Sequence, residues 1–112
     1  MEPRVKRIIE IAEKCFADTL SVRTLSSSVN LSPPRLRQLF KEETGLPPMQ
    51  YIKRLRMKRA AKLLQESFFS VKEIVFMSGS TDVSHFVRDF KKQYGATPSE
   101  FRARSQASRM SG

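Results

Sequence analysis

The chain writes one structural unit twice. Leu31-Ser-Pro-Pro-Arg-Leu-Arg-Gln-Leu-Phe-Lys-Glu-Glu-Thr-Gly45 is matched by Asp82-Val-Ser-His-Phe-Val-Arg-Asp-Phe-Lys-Lys-Gln-Tyr-Gly95. A shift of fifty positions lays Leu36 on Phe86, Phe40 on Phe90, Lys41 on Lys91 and Gly45 on Gly95. The same shift lays Pro48 on Pro98 and Tyr51 on Phe101. Ahead of these segments the offset is 49, with Leu25 on Ile74 and Asn30 on Gly79, so the second copy holds one extra residue in its turn. A duplication of this length in 112 residues points to one small helical unit used twice, within one domain or two very small subdomains.

Punctuation and periodicity give the elements. Pro3 suits a first helical turn, and Val5, Ile8, Ile9, Ala12, Cys15 and Phe16 follow at helical spacing. Ser21 caps a short helix with Val22, Leu25 and Val29 inward, and Asn30 tolerates the left-handed conformation of a tight turn. Ser32 and Pro33 start a third helix that Gly45 ends. Pro47 and Pro48 open a long fourth helix to about Gln65, with Ile52, Leu55, Leu63 and Leu64 inward. Ser70 to Glu73 is a capping box for a fifth helix carrying Ile74 and Val75. After a turn at Gly79, a sixth helix runs from Thr81 or Asp82 to Gly95. Thr97 to Glu100, a second capping box, opens a short final helix with Phe101.

The expected fold is all-α, about seven helices, with two helix-turn-helix subdomains joined by a long linker helix. The first subdomain covers residues 1–48, the linker helix 49–66 and the second subdomain 67–102. Residues 103–112, rich in Ser, Ala and Arg without apolar periodicity, read as a flexible tail.

Charge selects the partner. The chain has 21 Lys and Arg against 11 Asp and Glu, a net +10, with +2 in residues 1–45 and +8 in 46–112. Such a balance favours a polyanion: DNA, RNA or an anionic surface. The densest basic run is Lys53, Arg54, Arg56, Lys58, Arg59 and Lys62, which a solvated helix face would also explain. Cys15, the single cysteine, lies on the apolar stripe of the first helix and reads as a core residue. His85, the single histidine, has no companion ligand for a metal and fits a phosphate contact at the front of the sixth helix. There is no nucleophile–base pairing and no phosphate-binding Gly loop, so neither an enzyme nor a cofactor is expected. With no transmembrane run or signal peptide, a cytoplasmic protein that does not engage membrane is expected.

The third helix has two faces at 100° per residue. Leu36, Leu39 and Phe40 form one; Pro34, Arg37, Gln38 and Lys41 form the other. A core needs only the first. The second is what a groove reader needs: Arg donates twice to guanine, Gln pairs with adenine, and Lys meets phosphate. The sixth helix repeats the plan, with Phe86 and Phe90 inward and Ser84, Val87, Arg88 and Lys91 outward. A valine there can meet a thymine methyl.

Ser84-His-Phe-Val-Arg-Asp-Phe-Lys-Lys-Gln-Tyr-Gly-Ala-Thr-Pro-Ser-Glu-Phe-Arg102 resembles the C-terminal signature of AraC/XylS-type transcription regulators. Leu31-Ser-Pro, Leu36, Leu39-Phe40-Lys41, Thr44-Gly45, Tyr51-Ile52 and Arg56 resemble that family's first unit and linker helix. The resemblance covers residues 4–102. It implies two helix-turn-helix subdomains reading adjacent major-groove segments of double-stranded promoter DNA. By position it assigns base contacts to Pro34, Arg37, Gln38, Val83, Ser84, Val87 and Arg88. Phosphate contacts are expected from Ser32, Arg35, Lys41, Lys53, His85 and Lys91. Pro34 has no donor, which leaves it shape and van der Waals contact. Many members carry a separate ligand-binding or dimerisation domain, for which this chain has no room, and contact with RNA polymerase is a further expectation. As a promoter binder it would be nucleoid-associated. The alternative is a non-specific basic nucleic-acid-binding protein, for RNA or the nucleoid, which needs charge but no asymmetric reading face.

Three positions depart from the family pattern. Ser80 follows Gly79 where the family has Phe, Asp89 fills an apolar slot, and Ser26 replaces Ala. Ser80 and Asp89 predict softer packing in the second unit, and Ser26 must satisfy its hydroxyl.

Overall fold

The computed structural model describes residues 1–15 and 20–111, with backbone only for 109–111. Among the described residues there are seven helices and no strand: α1 (Pro3–Lys14), α2 (Val22–Ser28), α3 (Pro33–Thr44), α4 (Pro48–Glu66), α5 (Val71–Met77), α6 (Val83–Tyr94) and α7 (Pro98–Ser111). The chain divides into two compact units, Met1–Leu55 and Arg56–Gly112.

Short polar side chains set where the helices start. Ser21, Ser32, Ser70 and Asp82 are N-caps, each accepting from the backbone N–H three residues on. The capping box at Ser70 is complete, with Ser70 N–H donating to Glu73 Oε1 at 3.0 Å and Glu73 N–H to Ser70 Oγ at 3.1 Å. Thr97 and Glu100 repeat it at 3.1 and 3.2 Å. Two caps carry weaker sequence signals. Thr24 takes the Glu/Gln position of a capping box with Ser21, and Glu2 caps α1 by accepting from Arg4 N–H. Gly45 and Gly95 close α3 and α6 in the left-handed conformation, and their N–H groups donate to Lys41 O and Lys91 O.

The core of the first unit gathers Val5, Ile8, Ala12, Leu25, Leu36, Leu39, Phe40 and Ile52 from α1 to α4. Phe40 is fully buried and meets Tyr51 edge-on, with centroids 5.3 Å apart. Phe16, expected on the α1 stripe, lies outside the described residues. Ile9 and Cys15 are half-buried. Ser26 is buried and donates its hydroxyl to Arg23 O at 3.0 Å, so its polar group is satisfied within its own helix.

The second core contains Met57, Ala60, Ala61, Leu64, Ile74, Val75, Phe86 and Phe90. Phe90 is fully buried, with ring centroids 4.7 Å from Tyr94, 5.4 Å from Phe101 and 6.2 Å from Phe86.

Two expectations are corrected. Residues 103–111 are not an irregular tail: they prolong α7 to Ser111. Ala, Arg, Gln and Met are strong helix formers, so a segment can be helical without apolar periodicity. The helix is also tied down near its start. Arg102 donates from Nε to Leu64 O at 3.1 Å and from Nη2 to Ser67 O at 3.3 Å. The inward set expected for α4 was incomplete. Ile52 and Leu64 are buried and Leu55 and Leu63 half-buried, but Met57, Ala60 and Ala61 are core residues too. One helix gives its first half to one core and its second half to another, so a single stripe does not run its length.

Candidate nucleic-acid interface

The two turns show how each unit aims its outer helix. Leu31 N–H donates to Ser26 O at 2.9 Å, and Ser80 N–H donates to Val75 O at 3.2 Å. One position earlier, Asn30 has φ +56° and Gly79 has φ +85°. Both turns therefore need a residue that tolerates the left-handed region, and the sequence supplies one each time. The first unit then goes straight to its cap, Ser32, while the second inserts Thr81 before Asp82. The single-residue slip in the repeat is this inserted position.

Leu36, Leu39 and Phe40 anchor α3 in its core. Its far side presents Pro34, Arg37, Gln38 and Lys41, all exposed, at i, i+3, i+4 and i+7. Ser32 is exposed at the cap, holding Arg35 N–H at 3.3 Å. Arg35 is exposed as well, and its Nη1 donates to Gln38 Oε1 at 3.3 Å. That bond engages the carbonyl side of the amide and leaves its two N–H donors outward. A donor-presenting Gln suits acceptor edges such as purine N7 or guanine O6.

Phe86 and Phe90 anchor α6. Ser84, Arg88 and Lys91 are exposed on its outer side, and Val87 is half-buried. Val83, assigned to base contact by resemblance, stands elsewhere. With Phe86, Phe90 and Tyr94 it forms the i, i+3, i+7, i+11 apolar stripe, and it packs on the core. The outward face of α6 is thus Ser84, Val87, Arg88 and Lys91 without Val83. His85 is exposed in the first turn and its Nε2 lies 3.1 Å from Asp89 Oδ2. Lys53 is exposed on α4, on neither of these helices. The structure therefore gathers Ser32, Pro34, Arg35, Arg37, Gln38 and Lys41 on α3 and its cap, and Ser84, His85, Val87, Arg88 and Lys91 on α6.

Among the described residues no group of three His, Cys, Asp or Glu side chains could hold a metal ion, and no helix is long and apolar enough to cross a membrane.

Two small helical units, each holding a capped helix with an apolar inner face and a basic outer face, define a helix-turn-helix DNA-binding domain. A helix-turn-helix domain profile matches residues 25–104. The HTH-type transcriptional activator RhaS of Escherichia fergusonii is 35% identical over 107 residues, which span 96% of this chain and 38% of RhaS. The DNA-binding domain of AdpA, solved in complex with a target DNA, superposes with a TM-score of 0.92 at 25% identity, covering 99% of this chain and 100% of that one. The C-terminal domain of the response regulator yesN from Fusobacterium nucleatum gives a TM-score of 0.81 at 33% identity, covering 87% and 95%. The chain belongs to the AraC/XylS-type family of transcription-regulator DNA-binding domains.

Proposed function

We propose that this chain reads double-stranded promoter DNA through α3 and α6, each lying in the major groove and together covering adjacent segments of one site. The observation that carries this reading is the recurrence of one outer-face constellation on two separately anchored helices: Pro34, Arg37, Gln38 and Lys41 on α3, and Ser84, half-buried Val87, Arg88 and Lys91 on α6. Arg37, Gln38 and Arg88 take base edges, and Val87 offers its exposed part to a thymine methyl. Ser32, Arg35, Lys41, His85 and Lys91 take phosphates and set register. Lys53 adds a backbone contact from α4. AdpA's DNA-binding domain, of the same fold, was solved on its target DNA. The chain spans only 38% of the length of RhaS, which supports a partnership with a separate ligand-binding or dimerisation domain, and a promoter-bound regulator is placed to touch RNA polymerase. Its site of action is then the nucleoid of a bacterial cytoplasm.

Selection from a random duplex library followed by a salt titration tests this. A specific reader exceeds its own non-specific binding by ~10³-fold or more. With a net charge of +10, its affinity falls with salt on a log–log slope of several units. Equal binding of selected and scrambled duplexes at physiological salt would overturn sequence reading and leave a generic basic protein.

A further inference from the structure

The pair formed by His85 and Asp89 has no counterpart in the first unit, where the matching residues are Arg35 and Leu39. His85 stands in the first turn of α6, where its N–H is held by Asp82 Oδ1 at 3.0 Å. It precedes Arg88 by three residues and so borders the outward face. Its side chain is 57% exposed and that of Asp89 is 14% exposed, with Nε2 and Oδ2 3.1 Å apart. A carboxylate can only accept, so Nε2 carries the proton in this contact. The remaining nitrogen, Nδ1, is then an acceptor in the neutral ring and a donor only in the imidazolium. A phosphate oxygen needs a donor. A ring fixed in this way meets phosphate through Nδ1 only by taking up a proton.

We infer that Asp89 is a positioning residue for DNA contact: by holding Nε2 of His85 it makes that histidine a phosphate ligand only as the imidazolium, so that DNA binding takes up a proton. The inference rests on the DNA-reading role proposed above. Other charges around α6 leave His85 as the group that changes state. On α6 itself Asp82 is committed to the helix cap, and the other charged side chains beside the pair are Arg88, Lys91 and Lys92. Of the elements packed with α6, α5 offers Lys72 and Glu73, the latter committed to Ser70. Helix α7 offers Glu100, committed to Thr97, together with Arg102, committed to α4 carbonyls, and Arg104. The second-unit part of α4 offers Arg56, Lys58, Arg59, Lys62 and Glu66. His85 is the only histidine in the chain.

The test is the affinity of the whole chain for its selected duplex from pH 5.5 to 8 at constant ionic strength, with calorimetry in buffers of different ionisation enthalpy. Affinity is expected to fall by about tenfold across the window as pH rises, the worth of one charge-assisted hydrogen bond at an exposed site. Part of a proton is taken up per complex. H85Q is expected to give a flat profile, which separates His85 from the α-amino group of Met1. D89N is expected to bind less well near pH 6 and to show a shallower profile, approaching H85Q. A purely structural role for Asp89 would instead lower affinity equally at every pH, and that result overturns the inference. So does a parent profile that persists in H85Q. If no duplex is preferred at any pH, the DNA-reading role itself has failed. If a duplex is preferred but parent and H85Q share one flat profile, only the proton linkage has failed.

Discussion

Leu39 and Asp89 occupy the same turn of matching helices, yet Leu39 is buried in its core while Asp89 turns to the imidazole of His85 at 3.1 Å. The slot of Asp89 is only 14% exposed, so a carboxylate there gives up hydration that a leucine would not need. Against this, an i, i+4 pair on a helix contributes about 0.2–0.5 kcal/mol. Burying a leucine side chain fully is worth about 1.5–3 kcal/mol. Asp89→Leu exchanges the polar interactions of Asp89, of which the His85 pair is one, for apolar burial, and is expected to stabilise the fold where burial is the larger. A thermal melt should show a midpoint several degrees higher, with DNA affinity near pH 6 lower. A lower midpoint would show that the polar interactions of Asp89 together outweigh burial.

Arg37 and Lys41 share one face of α3 and are expected to separate by function. Arg37→Ala should cost about 1–3 kcal/mol of binding and relax base preference at one part of the site. Lys41→Ala should weaken every sequence alike and lower the salt slope by about one unit. Competition among single-base variants of the selected duplex distinguishes them. Uniform loss from Arg37→Ala would move Arg37 to the phosphate class.

Phe40 and Phe90 are matching anchors, both fully buried, but their surroundings differ. Among the described residues Phe40 meets one ring, Tyr51, whereas Phe90 meets Tyr94, Phe101 and Phe86. Truncation of either to Ala should cost roughly 3–5 kcal/mol. Ring pairs add about 0.5–1.5 kcal/mol each, so Phe90→Ala should cost the more. Denaturant melts of the two variants, read against unit-resolved amide exchange, check both the size and the order. Loss confined to α2 and α3 in Phe90→Ala would contradict the core assignment.

The sequence was most legible where one residue does one job. Ser32, Ser70, Asp82, Gly45 and Gly95 mark helix ends by local chemistry alone, and the structure puts ends there. Phe40, Phe86 and Phe90 were legible because each lies on an apolar stripe at helical spacing. Reading was poorest where tertiary contact decides. Met57, Ala60 and Ala61 lie on a helix shared by two cores, and no local period reveals which residues change from one core to the other. The run of α7 past Arg102 rests on propensity and on a bond to α4 that lies 38 residues away in sequence. At the interface, the outward faces of α3 and α6 followed from periodicity. Val83 was assigned by resemblance, although it stands three residues before Phe86 on the apolar stripe, a signal already present in the sequence.

Acid should loosen two helix starts before it unfolds the chain. Backbone and side-chain hydrogen bonds from Ser70 hold the Glu73 carboxyl below its ordinary value of 4.5, and Thr97 does the same for Glu100. A carboxyl lowered in the folded state contributes stability above its unfolded value, and that contribution is lost as pH falls through the folded one. Amide resonances of Ser70 and Thr97, which donate to these carboxylates, should therefore titrate with midpoints below 4.5. Midpoints at or above that value would mean the capping boxes are not closed in solution.

Arg102 should matter to α4 more than to α7. Helix α4 ends at Glu66, and its last carbonyls need donors from outside the helix. Leu63 O accepts from Ser67 N–H and from Ser67 Oγ. Leu64 O and Ser67 O accept from Arg102 Nε and Nη2, in a partly buried setting. A planar guanidinium spans two acceptors at once, which a lysine ammonium on its flexible stem cannot reproduce without further ordering. Charge-assisted hydrogen bonds of this kind contribute about 1.5–3 kcal/mol each, and their removal leaves two carbonyls short of a donor. Arg102→Ala is therefore expected to destabilise the second unit by about 2–3 kcal/mol, with Arg102→Lys recovering less than half. Amide exchange should accelerate first over residues 64–67 and only then across α5 and α6. If Arg102→Lys melts like the parent, the contact is one of simple charge, and two-carbonyl capping is not what holds the end of α4.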